Sequence, residues 1–301
     1  MPKCVIVTAA ETGYFKLLQD WLASLAEFPE LAELERCVLD IGLEASQRDW
    51  LKAQGVPSIE PAWDIALGRR QNLPHYYKAM TARPFLPRYF SNYDIIVWLD
   101  ADIWVQMPSY LRHYVTGAER YGFALTAEID RAYPNLFGEY NSVRLLHHSV
   151  YYRCFGRQVA DQLIQFPVVN SGAFAARRDH PIWRQWQEQF RQATQEAVLK
   201  HTEQAALNLA IYSGPETDRP HLLPSLANWI CVLSNPIWDV GRKKLVEPNL
   251  PHEVLGLVHL AGAIRQTQVQ IRTTTGGQVT GSLTYSGIRA LAPGLLRVAP
   301  D

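Results

Sequence analysis

The chain has 301 residues, with 29 basic and 29 acidic side chains, a formal net charge of zero, 48% apolar and 19% charged residues. This balance describes a globular chain with a large core and excludes a disordered one. It also lacks the basic excess that draws a protein to nucleic acid. The length fits one or two domains. Cys4, Cys37, Cys154 and Cys231 form no Cys-x-x-Cys pair, which leaves a cysteine zinc site or thioredoxin motif unsupported. Apolar surroundings of Cys4 and Cys37 suggest buried free thiols in a reducing compartment. Met1 leads into a strand-like run with no leader-like apolar segment, and no stretch approaches a membrane span of about 18 apolar residues. The expected location is cytoplasmic, with no transmembrane segment.

In chain order, Val5–Ala10 reads as a buried strand, and residues 14–27 as a helix with Phe15, Leu18, Leu22, Leu25 and Ala26 near one face. Cys37–Ile41 is a second strand closed by Gly42, and 46–54 a second helix with Ser46 as N-cap. Residues 75–89 are helical but must break at Pro84 and Pro87. Asp94–Leu99 is a central strand buried on both faces. This alternation predicts an α/β fold with a parallel sheet between helices. Later come a strand over 168–175, a helix over 181–199, a helix over 202–212 capped by Thr202, and a strand over 254–260. The Thr- and Gly-bearing residues 273–282 read as a loop, and the tail has no assignment. His147-His148 reads as surface, because adjacent residues diverge on a helix or strand.

The central strand runs into Asp100-Ala101-Asp102. Residues two apart on a strand point the same way, so both carboxylates can converge at the sheet edge where α/β folds bind ligands. Two carboxylates brought together need a cation between them, and oxygen donors of this kind suit Mg²⁺ or Mn²⁺ bridged to a phosphate. The bare motif also fits a solvated strand end. Phosphoryl transfer of the haloacid-dehalogenase type would want the pair after the first strand. Transfer of a sugar from a nucleoside diphosphate fits a nucleotide-binding half built ahead of the pair.

With these segments in order, the chain resembles the retaining glycosyltransferases of family eight, the group of glycogenin and the bacterial lipopolysaccharide galactosyl- and glucosyltransferases. The resemblance runs through separated islands over residues 3–265. It implies a GT-A fold with a mixed central sheet flanked by helices, a UDP-sugar donor, and Mn²⁺ or Mg²⁺. It implies one catalytic domain over 1–265, with a nucleotide-binding half over 1–107 and an acceptor half over 108–265, and leaves 266–301 as an extension of unknown role. In Ile6–Tyr14, Ala9 and Glu11 would meet the uracil and Tyr14 would cover its face, though the family more often has Asp for Glu11 and Asn for Gly13. Arg83, in Arg83-Pro84-Phe85-Leu86-Pro87, would contact donor phosphate or sugar. Asp100, Asp102 and His259 would hold the metal, Asp100 also facing the donor. Asn170, in Val169–Ala173, would touch the donor sugar. Glu203 and Gln204 would lie beside the reacting carbon, Glu203 where the family has Asp. Gly262 and Arg265, in His259–Arg265, would meet the diphosphate, Arg265 replacing a Lys. The tail lacks the basic and aromatic cluster that anchors some relatives to membranes.

Each residue alone admits a plainer role: Tyr14 and His259 in the core, Arg83 in a surface ion pair, Glu203 at a helix N-terminus, Asn170 in a turn. Their joint order favours the functional set. The acceptor, a carbohydrate or other small molecule, is expected near Asp130–Phe155 with Tyr133, Phe137, Tyr140 and Tyr151 as stacking surfaces. An inverting enzyme of the same fold, with Glu128, Asp130 or Glu139 as base, and a non-catalytic sugar-nucleotide-binding protein stay open. A nucleotidyltransferase would want a Gly-rich basic loop in place of residues 9–14. Donor hexose and oligomeric state are not specified by the sequence.

Overall fold

The computed structural model describes residues 2–67, 73–133 and 142–295. The chain opens with β1 (Cys4–Ala10), a 3₁₀ turn over Thr12–Tyr14 and α1 (Phe15–Ala26). Next come β2 (Glu35–Asp40), α2 (Ala45–Ala53) and β3 (Ser58–Ile59). The cap of α2 is Glu44, two residues before the predicted Ser46: Glu44 and Gln47 form a reciprocal capping box. The predicted broken helix is α3 (Tyr76–Ala82), a 3₁₀ turn over Arg83–Phe85 and α4 (Leu86–Tyr89), and both prolines sit in first turns, where a missing N–H costs nothing.

β4 (Ile95–Leu99), buried at every position, is followed after one tight turn by β5 (Ile103–Val105). Then come α5 (Pro108–Tyr121), β6 (Phe123–Ala127), α6 (Ser142–Phe155), α7 (Arg157–Leu163) and β7 (Val169–Arg177). α8 (Ile182–Glu196) and α9 (Thr202–Ser213) follow. Thr202 is the first residue of α9 and His201 holds the N-cap position, so the predicted cap is one residue late; the Thr202 hydroxyl instead accepts from the Leu199 N–H. β8 (His221–Leu223), β9 (Trp229–Ile230), β10 (Ile237–Asp239), β11 (Lys244–Val246) and β12 (Leu257–His259) are short. The predicted loop over 273–282 instead contains most of a hairpin, β13 (Val269–Arg272) with β14 (Gln278–Gly281), and α10 (Tyr285–Leu295) closes the described chain.

Among the described residues seven strands form one sheet in the order β3-β2-β1-β4-β7-β6-β8. The first four are parallel, as the alternation predicts. β7 enters antiparallel to both β4 and β6, so the sheet is mixed rather than parallel. One face packs against α1 and α5 through Leu18, Trp21, Leu25, Leu111 and Tyr114. The other packs against α3, α8 and α9 through Met80, Trp183, Trp186 and Phe190. A second sheet, β5-β12-β9, carries a separate core in which Trp104 and Trp229 meet Ile271, Leu283 and Ile288 of the tail. The Trp104 indole N–H donates to the Leu283 carbonyl at 2.9 Å. All four cysteines are free and buried, and no helix among the described residues is long and apolar enough to cross a membrane.

Trp186 joins packing to the site. It is fully buried against Phe174 and Trp183, and its N–H donates to the Glu203 carbonyl at 3.0 Å, fixing the first turn of α9. Trp186→Ala therefore lowers the unfolding free energy by about 3–5 kcal/mol, measured by urea denaturation.

Candidate active site

The two aspartates converge by a route other than the one predicted. They do not alternate along a strand: β4 ends at Leu99, and a turn closed by the Ile103 N–H on the Asp100 carbonyl (3.0 Å) aims both side chains inward. β5 then pairs antiparallel with β12, placing His259 opposite Ile103, and the Leu260 N–H donates to the Asp102 carbonyl at 3.0 Å. His259 Nε2 lies 3.5 Å from Asp102 Oδ1 and 4.0 Å from Asp100 Oδ2. A donor atom from each of Asp100, Asp102 and His259 lies within 4.8 Å of the other two. That is close to the spread of donors around one ion at about 2.1 Å.

Three features fit these residues to a divalent cation. The far nitrogen of His259, Nδ1, lies 3.0 Å from Asn228 Oδ1, an acceptor, so Nδ1 is the donor there and Nε2 is the nitrogen turned toward the carboxylates. Asp100 and Asp102 each keep one oxygen directed toward His259. A Cβ at Gly172 would lie 2.8 Å from Asp100 Oδ2 and 2.7 Å from His259 Cε1, so glycine lets the strand come this close. Burial pushes the Asp100 carboxyl up against the pull of Arg83, and Asp102 pushes it further. Burial also acts on Asp102, but the His259 imidazole and then Arg265 hold it below its ordinary value. Burial opposes charge on His259, yet the Asp102 carboxylate raises it overall. Mixed oxygen and imidazole donors suit Mn²⁺ and accept Mg²⁺.

Two guanidiniums flank the pair. Arg83, 7% exposed, comes from the 3₁₀ turn after α3. It donates to Asp100 Oδ1 at 2.8 Å, Glu203 Oε2 at 2.7 Å and Ser171 Oγ at 2.9 Å, and it lies over the Trp98 ring. Arg265 follows a reversal in which Ala261 and Gly262 both have positive φ (39° and 54°). It donates to Asp102 Oδ2 at 3.3 Å and to the Tyr14 hydroxyl, with its guanidinium 4.9 Å above the Tyr14 ring.

Asn170, Ser171 and Gly172 reach the site because β7 is bulged there. Its register against β6 jumps between Leu125, paired with Phe174, and Thr126, paired with Asn170. Bulges of this kind re-aim side chains at functional sites. Burial pushes the Glu203 carboxyl up to about 7 against Arg83, and its Oε1 has no hydrogen-bond partner. Gln204 accepts from the Ser171 N–H at 3.3 Å and donates to Glu128 Oε1 at 2.9 Å.

The twelve residues expected at the donor, metal and reaction centre line one cavity of about 360 Å³: Ala9, Glu11, Tyr14, Arg83, Asp100, Asp102, Asn170, Glu203, Gln204, His259, Gly262 and Arg265. Tyr76, Met80, Lys200 and His201 line it as well and carried no sequence signal of their own.

Other expectations are corrected. Tyr133 is fully buried, its ring against Trp229 and its hydroxyl accepting from the Ile230 N–H; Tyr151 is 1% exposed. Neither offers a stacking face to an acceptor. Phe137, Tyr140 and Glu139 lie outside the described residues. His148 is exposed beside Asp161, but His147 is 4% exposed, with Nε2 3.0 Å from Glu128 Oε2. The divergence of the two neighbours is real, and it sends one inward.

No protein-family model matches the sequence, and no curated protein matches it. Solved structures do match. The galactosyltransferase LgtC, in complex with donor and acceptor sugar analogues, aligns at 15% identity over 86% of this chain and 88% of its own, with a TM-score of 0.51. The WbbM bifunctional glycosyltransferase aligns at 13% identity over 88% of this chain and 47% of its own, TM-score 0.54. GlyE of Streptococcus pneumoniae TIGR4 aligns at 14% identity over 99% of this chain and 61% of its own, TM-score 0.51. The fold is the GT-A glycosyltransferase fold. The mixed sheet and its flanking helices, expected from the resemblance, are those of this GT-A architecture.

Glu128 yields a prediction about pH. Burial opposes its ionisation, but His147 and the amides of Asn170 and Gln204 bring it from 4.5 down to about 2. A folded value below the ordinary one means that its stabilising contribution is full above pH 4.5 and is lost as pH falls toward 2, a difference of about 3 kcal/mol. Glu128→Gln is therefore less stable than the natural chain near neutral pH, and the gap narrows on acidification below 4.5. Urea unfolding across that range checks it.

Proposed function

We propose that the chain is a metal-dependent retaining glycosyltransferase that moves a hexosyl group from a UDP-sugar, of the UDP-glucose or UDP-galactose type, to a carbohydrate or other small acceptor. The observation that carries this reading is the meeting, in one cavity, of Asp100, Asp102 and His259 with Arg83, Arg265 and the ring of Tyr14. LgtC, with the same fold, was solved with donor and acceptor sugar analogues, and one of its active-site mutants replaces a glutamine with glutamate.

In this reading Asp100, Asp102 and His259 hold the cation. A bound Mn²⁺ or Mg²⁺ supplies Lewis acidity toward the diphosphate leaving group. Arg83 and Arg265 set fixed positive charge where the leaving oxygen gains negative charge, in a site screened from water. Ala9, Glu11 and Tyr14 form the wall for the base, and Gly262 lets the backbone turn beside the diphosphate. Glu203 and the carbonyl oxygen of Gln204 face the side on which the sugar becomes cationic.

Among the described residues, the state of the carboxylates favours retention over inversion. Glu128 has both oxygens engaged and a value of about 2, which makes it a poor base. Asp130 accepts from the Ala132 N–H at 2.7 Å and from the Ser225 hydroxyl. Glu203 is paired with Arg83 and Gln204 is held by Ser171 and Glu128, so neither is free as a nucleophile. A front-face displacement assisted by the leaving phosphate follows. The intact Asp100, Asp102 and His259 set disfavours a non-catalytic binding protein.

Titration calorimetry tests the donor site: UDP binds with Mn²⁺ present, and binding is lost with EDTA or in Asp102→Ala. Absence of UDP binding under any metal overturns the reading. With a competent UDP-hexose and acceptor, NMR of the product shows the donor's anomeric configuration; the opposite anomer overturns retention. Because the ionised form of Glu203 faces the developing cation, kcat rises with pH through about 7 and Glu203→Gln flattens that arm of the profile.

A further inference from the structure

Asn228 lies outside every segment in which the sequence marked function. It ends a 3₁₀ turn over Ser225–Asn228, immediately before β9, and is 1% exposed. Its side chain joins two functional residues. Asn228 Oδ1 lies 3.0 Å from His259 Nδ1, and Asn228 Nδ2 donates to Asn170 Oδ1 at 3.0 Å and to Thr126 Oγ1 at 3.1 Å. Asn170 in turn donates from Nδ2 to Glu128 Oε1 at 2.8 Å, while its Oδ1 accepts from the Gly172 N–H at 2.9 Å. Both polar groups of Asn170 are thus engaged inside the protein, although the residue lines the cavity.

The direction of this chain is fixed at its far end. A carboxylate offers only acceptors and a backbone N–H only a donor. Glu128 therefore takes the Asn170 NH₂ group and Gly172 takes its oxygen, leaving one orientation of that amide. Asn170 Oδ1 then requires the NH₂ group of Asn228, which turns Asn228 Oδ1 to His259. An acceptor there requires Nδ1–H and, in the neutral imidazole, leaves Nε2 unprotonated toward Asp100 and Asp102. The opposite order would place an N–H at the point where a cation must bind.

We propose that Asn228 is a positioning residue for the metal site: through a hydrogen-bond chain anchored on Glu128 and the Gly172 N–H, it holds His259 in the tautomer that can ligate a cation. Asn170 belongs to this chain, and its part in donor recognition is to sustain the metal site rather than to contact the sugar. The inference rests on the metal reading above, and its test separates the two.

Mn²⁺ alone is titrated into the full chain, with free Mn²⁺ read by electron paramagnetic resonance. Asn228→Leu removes the acceptor and weakens Mn²⁺ binding about 10–100-fold, the usual cost of losing such a partner. Asn228→Asp restores an acceptor for Nδ1–H and keeps binding near that of the natural chain. Equal Mn²⁺ affinity in Asn228→Leu overturns the proposal, as does an Asn228→Asp variant that folds and binds as weakly as the Leu variant. ¹⁵N–¹H NMR of the unaltered, metal-free chain at alkaline pH gives a second readout that needs no variant: His259 carries its proton on Nδ1, and an Nε2 proton overturns the proposal. Failure of the natural chain to bind Mn²⁺ would strike the metal reading instead, and the tautomer measurement would still decide this inference.

Discussion

Two carboxylates separated by a single residue, at the end of a buried central strand, set the constraint around which the rest is arranged. Asp102 is buried and Asp100 half-buried beside it, a placement that desolvation and repulsion both disfavour. Three cationic or ionisable groups answer it from three directions. Arg83 comes from the helix that breaks at Pro84, His259 from the second sheet, and Arg265 from the reversal at Ala261 and Gly262. The bulge in β7 serves the same centre, since only a glycine at 172 lets the neighbouring strand reach it. The sheet thus gathers, at its ligand edge, two carboxylates, an imidazole and two guanidiniums around one cavity.

Much of that centre was legible because its signals were local. The apolar run Ile95–Leu99 marked a strand buried on both faces, and the acidic pair at its end stood out against it. Arg83 and Glu203-Gln204 had no such local mark: each alone read as an ion pair or a helix start, and only the family resemblance singled them out. What the sequence concealed is the inward polar layer. His147 looks like one half of a surface pair, and only the helix phase sends it to Glu128 while His148 goes to solvent. Asn228 offered one faint sign, a single amide inside the apolar run Leu226–Ile230.

The tail shows a different failure. Thr and Gly around residue 275 suggested a loop, yet Val269, Ile271 and Val279 alternate on either side of Gly276-Gly277, which is the pattern of a hairpin. Composition won the reading over periodicity. The mixed sheet, implied by the resemblance, was invisible to the residue alternation for a related reason: β4 and β7 are separated by some seventy residues, and strand direction at that range is set by the connection, not by either strand's own side chains.

His259 belongs to a small sheet whose core is completed by the last described segments of the chain. A polypeptide emerging from the ribosome can therefore pair β1, β2 and β4 long before the third donor exists. During that interval Asp100 can meet Arg83, whereas the cationic partners of Asp102, His259 and Arg265, have yet to be made. Assembly of the centre depends on contacts of large sequence separation, which form late and slowly. Completion of this centre is thus a late event in biogenesis, and the acidic pair spends its early life only partly compensated, by Arg83 at Asp100.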